Sequence, residues 1–335
     1  MTAFFINLLN WINGVVGNYG WSIVLFTLLI RMVLLPLDIK SKKSMRAMNK
    51  IQPKVQALQK KYANDKEKLN QKTMELYRKE HVSPTAGCLP MLISLPILWI
   101  MFSAMRTVGN EQTIKMLLTM KETGQLPNLQ SWLWIKNVFQ PDSFGATILP
   151  AVNSTLSMIR PVGSSAILTE ENINTVLEYL KSSDYSHLAA QLAPASAFNM
   201  VQINLLLFHP TLLLPNSFAN LITYANGLFI LPLLAGGSQL LMTSLMNGKK
   251  TKEQKEMEAA QQGQNQSNPF NSPIMKWFFP IFSVWICGSS NAAFSIYWMA
   301  ANAIQIVQQL AVNWYFDRQD AREAAALNPA DTENR

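Results

Sequence analysis

The sequence predicts an all-α polytopic membrane protein with five transmembrane helices. Apolar stretches of about 20 residues recur along the chain, which is the length that a helix needs to cross a bilayer. Charged residues make up only 14% of the sequence and are concentrated between those stretches. This pattern excludes a soluble globular protein, a disordered chain and a disulfide scaffold. The two cysteines, Cys88 and Cys287, form no metal or redox pattern.

Residues 1–19 are predicted to form an amphipathic helix at the membrane interface. Apolar residues such as Phe5, Leu9 and Ile12 repeat at helical spacing, and asparagines occupy the other side. The segment lacks the basic start of a signal peptide. A slightly polar first span is the alternative interpretation.

Five segments are predicted to cross the membrane. The fourth and fifth are separated by a break at residues 288–291 (GSSN), which leaves the fourth short. A short span implies tilt or a locally thinned bilayer. The five spans are residues 20–37, 88–107, 226–246, 274–287 and 292–316.

The loops between the spans predict the orientation, because basic residues stay on the cytoplasmic side. Residues 38–87 hold 13 Lys/Arg against 5 Asp/Glu, and residues 247–276 hold 5 against 3. The much longer segment 108–225 holds 5 against 7. The N-terminus is therefore predicted outside, and the tail 317–335 in the cytoplasm. Five spans satisfy this alternation.

The first cytoplasmic loop, residues 38–87, is predicted to be a helical hairpin. Apolar residues step by three or four, and a turn at residues 63–65 makes Asp65 a candidate N-cap of the second helix. The basic face has three interpretations: contact with anionic lipid headgroups, contact with ribosomal RNA, or a solvated face that fixes topology. The second loop, residues 247–273, is a polar linker.

Arg31 lies ten residues into the first predicted span. An arginine at this depth costs about 2.5–3.5 kcal/mol on insertion scales, so it needs a partner or water. No Asp or Glu occurs in any predicted span, so we expect no acidic partner. Thr27 lies one turn away on the same face. A hydrated pocket lined by polar residues at depth is favoured over snorkelling, and its candidate residues are Thr27, Ser94, Gln239, Asn302 and Gln305.

The sequence carries no pattern that supports catalysis. It has no GxxxxGK[ST] phosphate loop and no HExxH motif, and its three histidines lie far apart outside the predicted spans. We therefore expect a protein that is not an enzyme and that uses no metal or cofactor. A positive charge without a counterion in the membrane is a site that could receive a transient negative group.

Several motifs together resemble the YidC/Oxa/Alb family of membrane protein insertases. They are SIVLFTLLIRMVLLPL, the following IQPKVQALQKKY hairpin, the SPTAGCLPM junction, LWIKNVFQPD, ILPLLAGGSQ and IYWMAANAIQIVQQLAVNWYF. The likeness covers roughly residues 20–108, 127–142 and 226–316. It implies a bacterial plasma-membrane protein of the type without a large periplasmic domain.

The resemblance implies a hydrophilic groove, open to the cytoplasm and to lipid, between the first, second, third and fifth spans. Arg31 matches the groove arginine and Thr27 the groove threonine. Trp298 matches an aromatic residue that contacts passing substrate, and Asn302 a polar residue one turn on. Gln239 is a candidate by position, and Ser94 stands where many relatives carry glutamine.

The family likeness implies an insertase and chaperone for newly made membrane proteins. The implied partners are nascent membrane proteins and the lipid bilayer, with the Sec translocon and the ribosome as further candidates and no small-molecule substrate. The hairpin is needed for activity in the family; its candidate contacts are Met45, Met48, Lys54, Lys60 and Lys61. A scaffold without insertase activity and a small anion transporter are the alternatives.

Residues 143–225 are predicted to be an insertion that forms an outward-facing subdomain. Within it, residues 172–193 read as helical. The apolar run INLLLFHPTLLLP, residues 203–215, is too short for a span and is broken by His209–Pro210.

Overall fold

A computed structural model describes residues 2–82, 89–150, 159–162, 165–202, 211–247 and 273–327. Ten α-helices and one two-stranded sheet account for the regular structure of these residues. The helices are α1 (Thr2–Val16), α2 (Tyr19–Lys61), α3 (Lys66–Lys79), α4 (Leu89–Thr123), α5 (Glu170–Tyr179), α6 (Ser183–Leu192), α7 (Phe218–Tyr224), α8 (Ile230–Asn247), α9 (Pro273–Ser289) and α10 (Ala292–Leu327). The strands are β1 (Phe198–Gln202) and β2 (Thr211–Pro215).

Three helices continue well beyond the ends of the predicted spans. Helix α2 runs through residue 37 to Lys61, α4 runs past residue 107 to Thr123, and α10 runs past residue 316 to Leu327. The backbone hydrogen bonds continue past the predicted ends, and in α4 even Gly109, two residues beyond the predicted end, stays helical. Helix α4 ends where Gly124 takes a φ of 65°, a common helix stop.

One helix among the described residues is long and apolar enough to cross a membrane, Tyr19–Met48. Only 22% of its most apolar window is buried, so most of its apolar side chains face outward, as contact with lipid requires. Shorter apolar helices occupy Thr2–Val16, Ile230–Leu245 and Trp277–Ser289. The count of five spans therefore stays a prediction.

The chain divides into two compact units. The first comprises Met1–Leu28, Ile100–Leu241 and Pro273–Ala303, and the second comprises Leu29–Trp99, Met242–Ser272 and Ile304–Arg335. In the first unit, α8 and α9 approach closely at Gly236, where an added Cβ would lie 2.5 Å from Val284 Cγ2. The break between α9 and α10 falls at Ser290–Asn291, as predicted, and the Asn291 side chain caps α10 by accepting from Phe294 N at 3.0 Å.

In the first unit, helices α5 and α6 pack on the extension of α4. Ile114, Leu117 and Met120 of α4 share one apolar core with Ile173 and Val176 of α5. Tyr185 of α6 anchors this core by donating its hydroxyl proton to the Pro150 carbonyl. Helices α5 and α6 confirm the predicted helical character of residues 172–193.

The described residues are mostly helical, as the all-α prediction requires, and the exception is one short two-stranded sheet. Strands β1 and β2 pair antiparallel, with Phe198 opposite Pro215 and Gln202 opposite Thr211. The second half of the apolar run 203–215 is therefore a strand, and residues 203–210 lie outside the described part of the chain. Neither strand alternates cleanly between apolar and polar residues, so local patterning did not reveal them.

A buried carboxylate, Asp142, fixes the start of α8. Its Oδ1 accepts a hydrogen bond from Phe229 N at 3.1 Å, and its Oδ2 accepts from Leu231 N at 2.7 Å. Gly227 permits this approach, because an added Cβ would lie 2.0 Å from Asp142 Oδ1. Nearby, Lys136 Nζ donates to three carbonyls at the end of α7, those of Ile222, Thr223 and Ala225. Both residues belong to the LWIKNVFQPD motif.

Replacing Asp142 by alanine should destabilise the fold by about 1–3 kcal/mol, because two buried N–H groups lose their acceptor. Thermal unfolding of the purified protein in detergent measures this. Glu171→Ala, at an exposed site in the first turn of α5, is the matched control. Equal melting temperatures for the two variants would show that the Asp142 cap contributes nothing.

Candidate functional site

The guanidinium of Arg31 is held by an amide from another helix of the same unit. With its amide oriented so that the oxygen faces the guanidinium, Gln305 of α10 accepts from Arg31 Nη1 at 2.5 Å and from Nη2 at 3.1 Å. This orientation satisfies both groups, since the alternative would place two donors face to face. Arg31 and Gln305 are both only partly exposed. A neutral acceptor therefore compensates the arginine without cancelling its charge.

Two further charges lie on the Arg31 face of α2. Asp38 and Lys42 follow Arg31 by seven and eleven residues, which places all three on one side of the helix. Asp38 interacts electrostatically with both Arg31 and Lys42. The expectation of no acidic partner within the spans is not contradicted, because Asp38 follows the predicted span 20–37 and forms no ion pair with Arg31 in the described structure. The helix continues past residue 37, so this carboxylate shares the Arg31 face.

Several buried polar atoms of the second unit have no hydrogen-bond partner among the described residues. An unpaired buried polar group costs about 1–3 kcal/mol, so such groups are normally satisfied by water or by a polar ligand. The concentration of these atoms on α2 and α10 indicates a wet, polar environment. They are Asp38 Oδ2, Ser41 Oγ, Lys42 Nζ, Gln56 Oε1 and Gln308 Oε1.

In the first unit, three of the predicted residues lie in defined surroundings. Asn302 donates from Nδ2 to the hydroxyl of Ser238, at 2.9 Å, so Ser238 is the α8 residue that contacts it. The Nε1 of Trp298, one turn earlier on α10, is buried and has no partner among the described residues. Thr27 is buried and donates to the Ile23 carbonyl at 2.6 Å. Gln239, the fourth candidate in this unit, is partly buried.

Helical spacing groups the polar residues of α2 and α10 into one stripe on each helix. Thr27 and Arg31 lie one turn apart on α2, and Asp38 continues their face. Trp298, Asn302 and Gln305 follow one another at four and three residues on α10. Most of the predicted candidates fall on these two stripes, whereas Gln239 lies on α8 and Ser94 on α4. Asp38, which was not a candidate, extends the stripe of α2. Spacing from Asn302 is the signal that identifies Gln305.

The cytoplasmic hairpin is formed by the end of α2 and by α3. Asp65 caps α3, as predicted, by accepting from Lys68 N at 3.0 Å. Lys54 of α2 forms an ion pair with Glu80 at 2.5 Å, which ties the two arms together. The Lys54 ammonium holds the pKa of the Glu80 carboxyl below its usual value.

The other predicted hairpin contacts are distributed along α2. Lys60 is exposed, and the Lys61 ammonium lies 5.7 Å from the centroid of the Tyr62 ring. Met48 is partly buried, while the side chains of Met45 and of the groove candidate Ser94 lie outside the described part of the structure. Among the described residues, no group of three or more His, Cys, Asp and Glu side chains could hold a metal ion.

Comparison with known proteins assigns the chain to a family. Residues 11–164 and 178–319 match the family described as the 60Kd inner membrane protein. The chain belongs to this family. The match includes both polar stripes and the hairpin. It also includes most of the segment predicted as an insertion, since it leaves out only residues 165–177 of residues 143–225.

Curated relatives of the family carry the name "Membrane protein insertase YidC". The relative from Fusobacterium nucleatum is 42% identical over 153 residues, which is 46% of this chain and 65% of the relative. The relative from Caldanaerobacter subterraneus is 36% identical over 169 residues, covering 50% and 72%. The relative from Aromatoleum aromaticum is 39% identical over 153 residues, covering 45% and 24%. The chain thus spans about two thirds of the two shorter relatives and a quarter of the longest.

If Gln305 holds the Arg31 guanidinium, the two residues should be energetically coupled. Gln305→Leu leaves the guanidinium donors without this acceptor and should lower the free energy of unfolding by about 1.5–3 kcal/mol. The loss should be much smaller in an Arg31→Leu background, because the partner is already gone. A double-mutant cycle of unfolding in detergent measures the coupling; additive effects would contradict the contact.

Proposed function

We propose that this chain is a membrane protein insertase and chaperone of the bacterial inner membrane. Membership of the 60Kd inner membrane protein family supports this, as do relatives that carry the insertase name. The observation that carries the mechanism is Arg31, held by the neutral Gln305 in the one described helix that is long and apolar enough to cross a membrane. Nascent membrane proteins and the lipid bilayer are the proposed partners. The Sec translocon and the ribosome are further candidates.

In the proposed mechanism, a short hydrophobic segment with an acidic outer tail enters the groove from the cytoplasm. The Arg31 guanidinium attracts the acidic residues transiently, and the polar neighbourhood lowers the cost of holding them at depth. The hydrophobic segment then passes into lipid. Burial of its apolar surface, at about 25 cal/mol per Å², drives release. This scheme needs no nucleotide and no covalent chemistry, so the chain is proposed not to act as an enzyme.

The proposed groove lies between the first, second, third and fifth spans, with the N-terminus outside and the C-terminus in the cytoplasm. Trp298 and Asn302 would contact passing segments, and Thr27, Ser94 and Gln239 would complete the lining. The Nε1 of Trp298, which has no partner among the described residues, would be a donor for a polar group of the substrate. The short fourth span would thin the bilayer and shorten the path through hydrocarbon.

The hairpin is the proposed first contact for emerging segments. Met48 is partly buried, and Met74 on α3 is 44% exposed, so both can change conformation to fit different apolar segments. Lys54 is engaged with Glu80 and would act by fixing the shape of the hairpin. Lys60 and Lys61 would face lipid headgroups or RNA.

In the decisive experiment, the purified chain is reconstituted into liposomes, and a single-span substrate is added without ATP. Protection of the substrate from protease reports insertion. Arg31→Ala should reduce insertion of substrates with acidic tails by about tenfold or more, because a partly buried charge–charge attraction of about 1.4 kcal/mol corresponds to a factor of ten. Substrates with neutral tails should change much less.

Three outcomes would contradict this account. Equal loss for acidic and neutral substrates would remove the electrostatic part of the mechanism. No protection by the folded wild-type chain would favour an assembly scaffold, or dependence on Sec, over an autonomous insertase. An increase in anion flux through the same liposomes would favour a transporter.

A further inference from the structure

The charges beside Arg31 suggest how the site distinguishes acidic from neutral segments. Arg31, Asp38 and Lys42 share one face of α2, and each interacts electrostatically with the other two. Two cations and one anion leave this face with a net charge of +1. Asp38 therefore lowers the attraction that the face exerts on an incoming carboxylate.

Asp38 is placed to compete with a substrate rather than to neutralise Arg31 permanently. No hydrogen-bonded ion pair joins its carboxylate to Arg31 or Lys42 in the described structure, and its Oδ2 is buried without a partner. The Nζ of Lys42 is likewise buried and unpaired among the described residues. The two side chains therefore act on Arg31 through space.

The geometry on α10 leaves the positive charge available. Gln305 binds both terminal nitrogens of Arg31 with a neutral oxygen, so it orients the guanidinium and adds no negative charge. Gln308, one turn further on α10, presents a buried oxygen with no described partner. Asp38 is an anion in electrostatic contact with Arg31.

We propose that Asp38 is a specificity-determining residue that sets how acidic a segment must be before Arg31 attracts it. A segment with one carboxylate competes poorly with Asp38, whereas a segment with two or three outweighs it. The same carboxylate speeds release, because it regains Arg31 when the substrate leaves. This inference rests on the proposed insertase function. It adds a threshold in the number of carboxylates that a segment needs before Arg31 attracts it.

The test uses the full chain in liposomes without ATP. The substrates are single-span peptides whose outer tails carry zero, one, two or three aspartates, and protease protection is the readout. Asp38→Asn keeps the size of the side chain and removes its charge. It should raise insertion of the one-aspartate substrate, relative to the neutral substrate, by on the order of three- to tenfold, and should leave the neutral substrate unchanged.

Two further variants test whether the effect is specific to the charge of Asp38. Glu67→Gln makes the same charge change at an exposed site in the first turn of α3, and it should leave the preference for aspartates as in the wild type. Arg31→Gln/Asp38→Asn retains Lys42 and so restores the net charge of +1. It should insert acidic substrates at least threefold better than Arg31→Gln alone, a recovery that damage to the fold would not produce.

The inference is overturned if Asp38→Asn leaves the dependence on aspartate number unchanged, or if it raises all four substrates equally. It is also overturned if Glu67→Gln has the same effect, or if the double variant is no better than Arg31→Gln. These results do not contradict the insertase function, provided that the wild type inserts acidic substrates. Absence of protection with the wild type would instead refute the insertase proposal itself, and the inference with it.

Discussion

The structure depends on how a guanidinium is accommodated in α2, the one described helix that is long and apolar enough to cross a membrane. Arg31 lies within the stretch Tyr19–Met48, whose apolar side chains mostly face outward. Without compensation, this position would cost about 2.5–3.5 kcal/mol on insertion scales. An amide from α10 and a polar face that continues along α2 offset this cost. Both leave a positive charge in place, which a carboxylate partner in direct contact would have removed.

This arrangement explains why polar residues recur at helical spacing on α2 and α10. A stripe of polar side chains in an apolar helix is costly unless its members satisfy one another or face water. Asn302 with Ser238, and Arg31 with Gln305, are satisfied directly. Trp298, Asp38, Lys42 and Gln308 keep unpaired atoms among the described residues. Water or polar groups from outside the chain can satisfy these atoms.

The sequence predicted most helices and the family, because helical periodicity and the insertase motifs are local signals. Asp65 as a cap and the break before Ala292 followed from residue types with specific backbone preferences. Asp38 was missed because hydropathy ends a span where charge begins, whereas the helix and its face continue. The strands β1 and β2 were missed because each forms only through its partner. The contact between Gln305 and Arg31 joins residues 274 positions apart, so local patterns cannot reveal it.

If Arg31 lies in a hydrated site, the polar stripe of α10 should face water, and its apolar neighbours should face lipid. In a chain whose Cys88 and Cys287 are replaced by alanine, Gln308→Cys and Val307→Cys place a thiol at almost the same depth on different faces. Val307 is 66% exposed, as expected for contact with lipid. A membrane-impermeant maleimide added to the cytoplasmic side of vesicles should label position 308 rapidly and position 307 slowly. Equal labelling of the two positions, or faster labelling at 307, would contradict a hydrated polar site in the membrane.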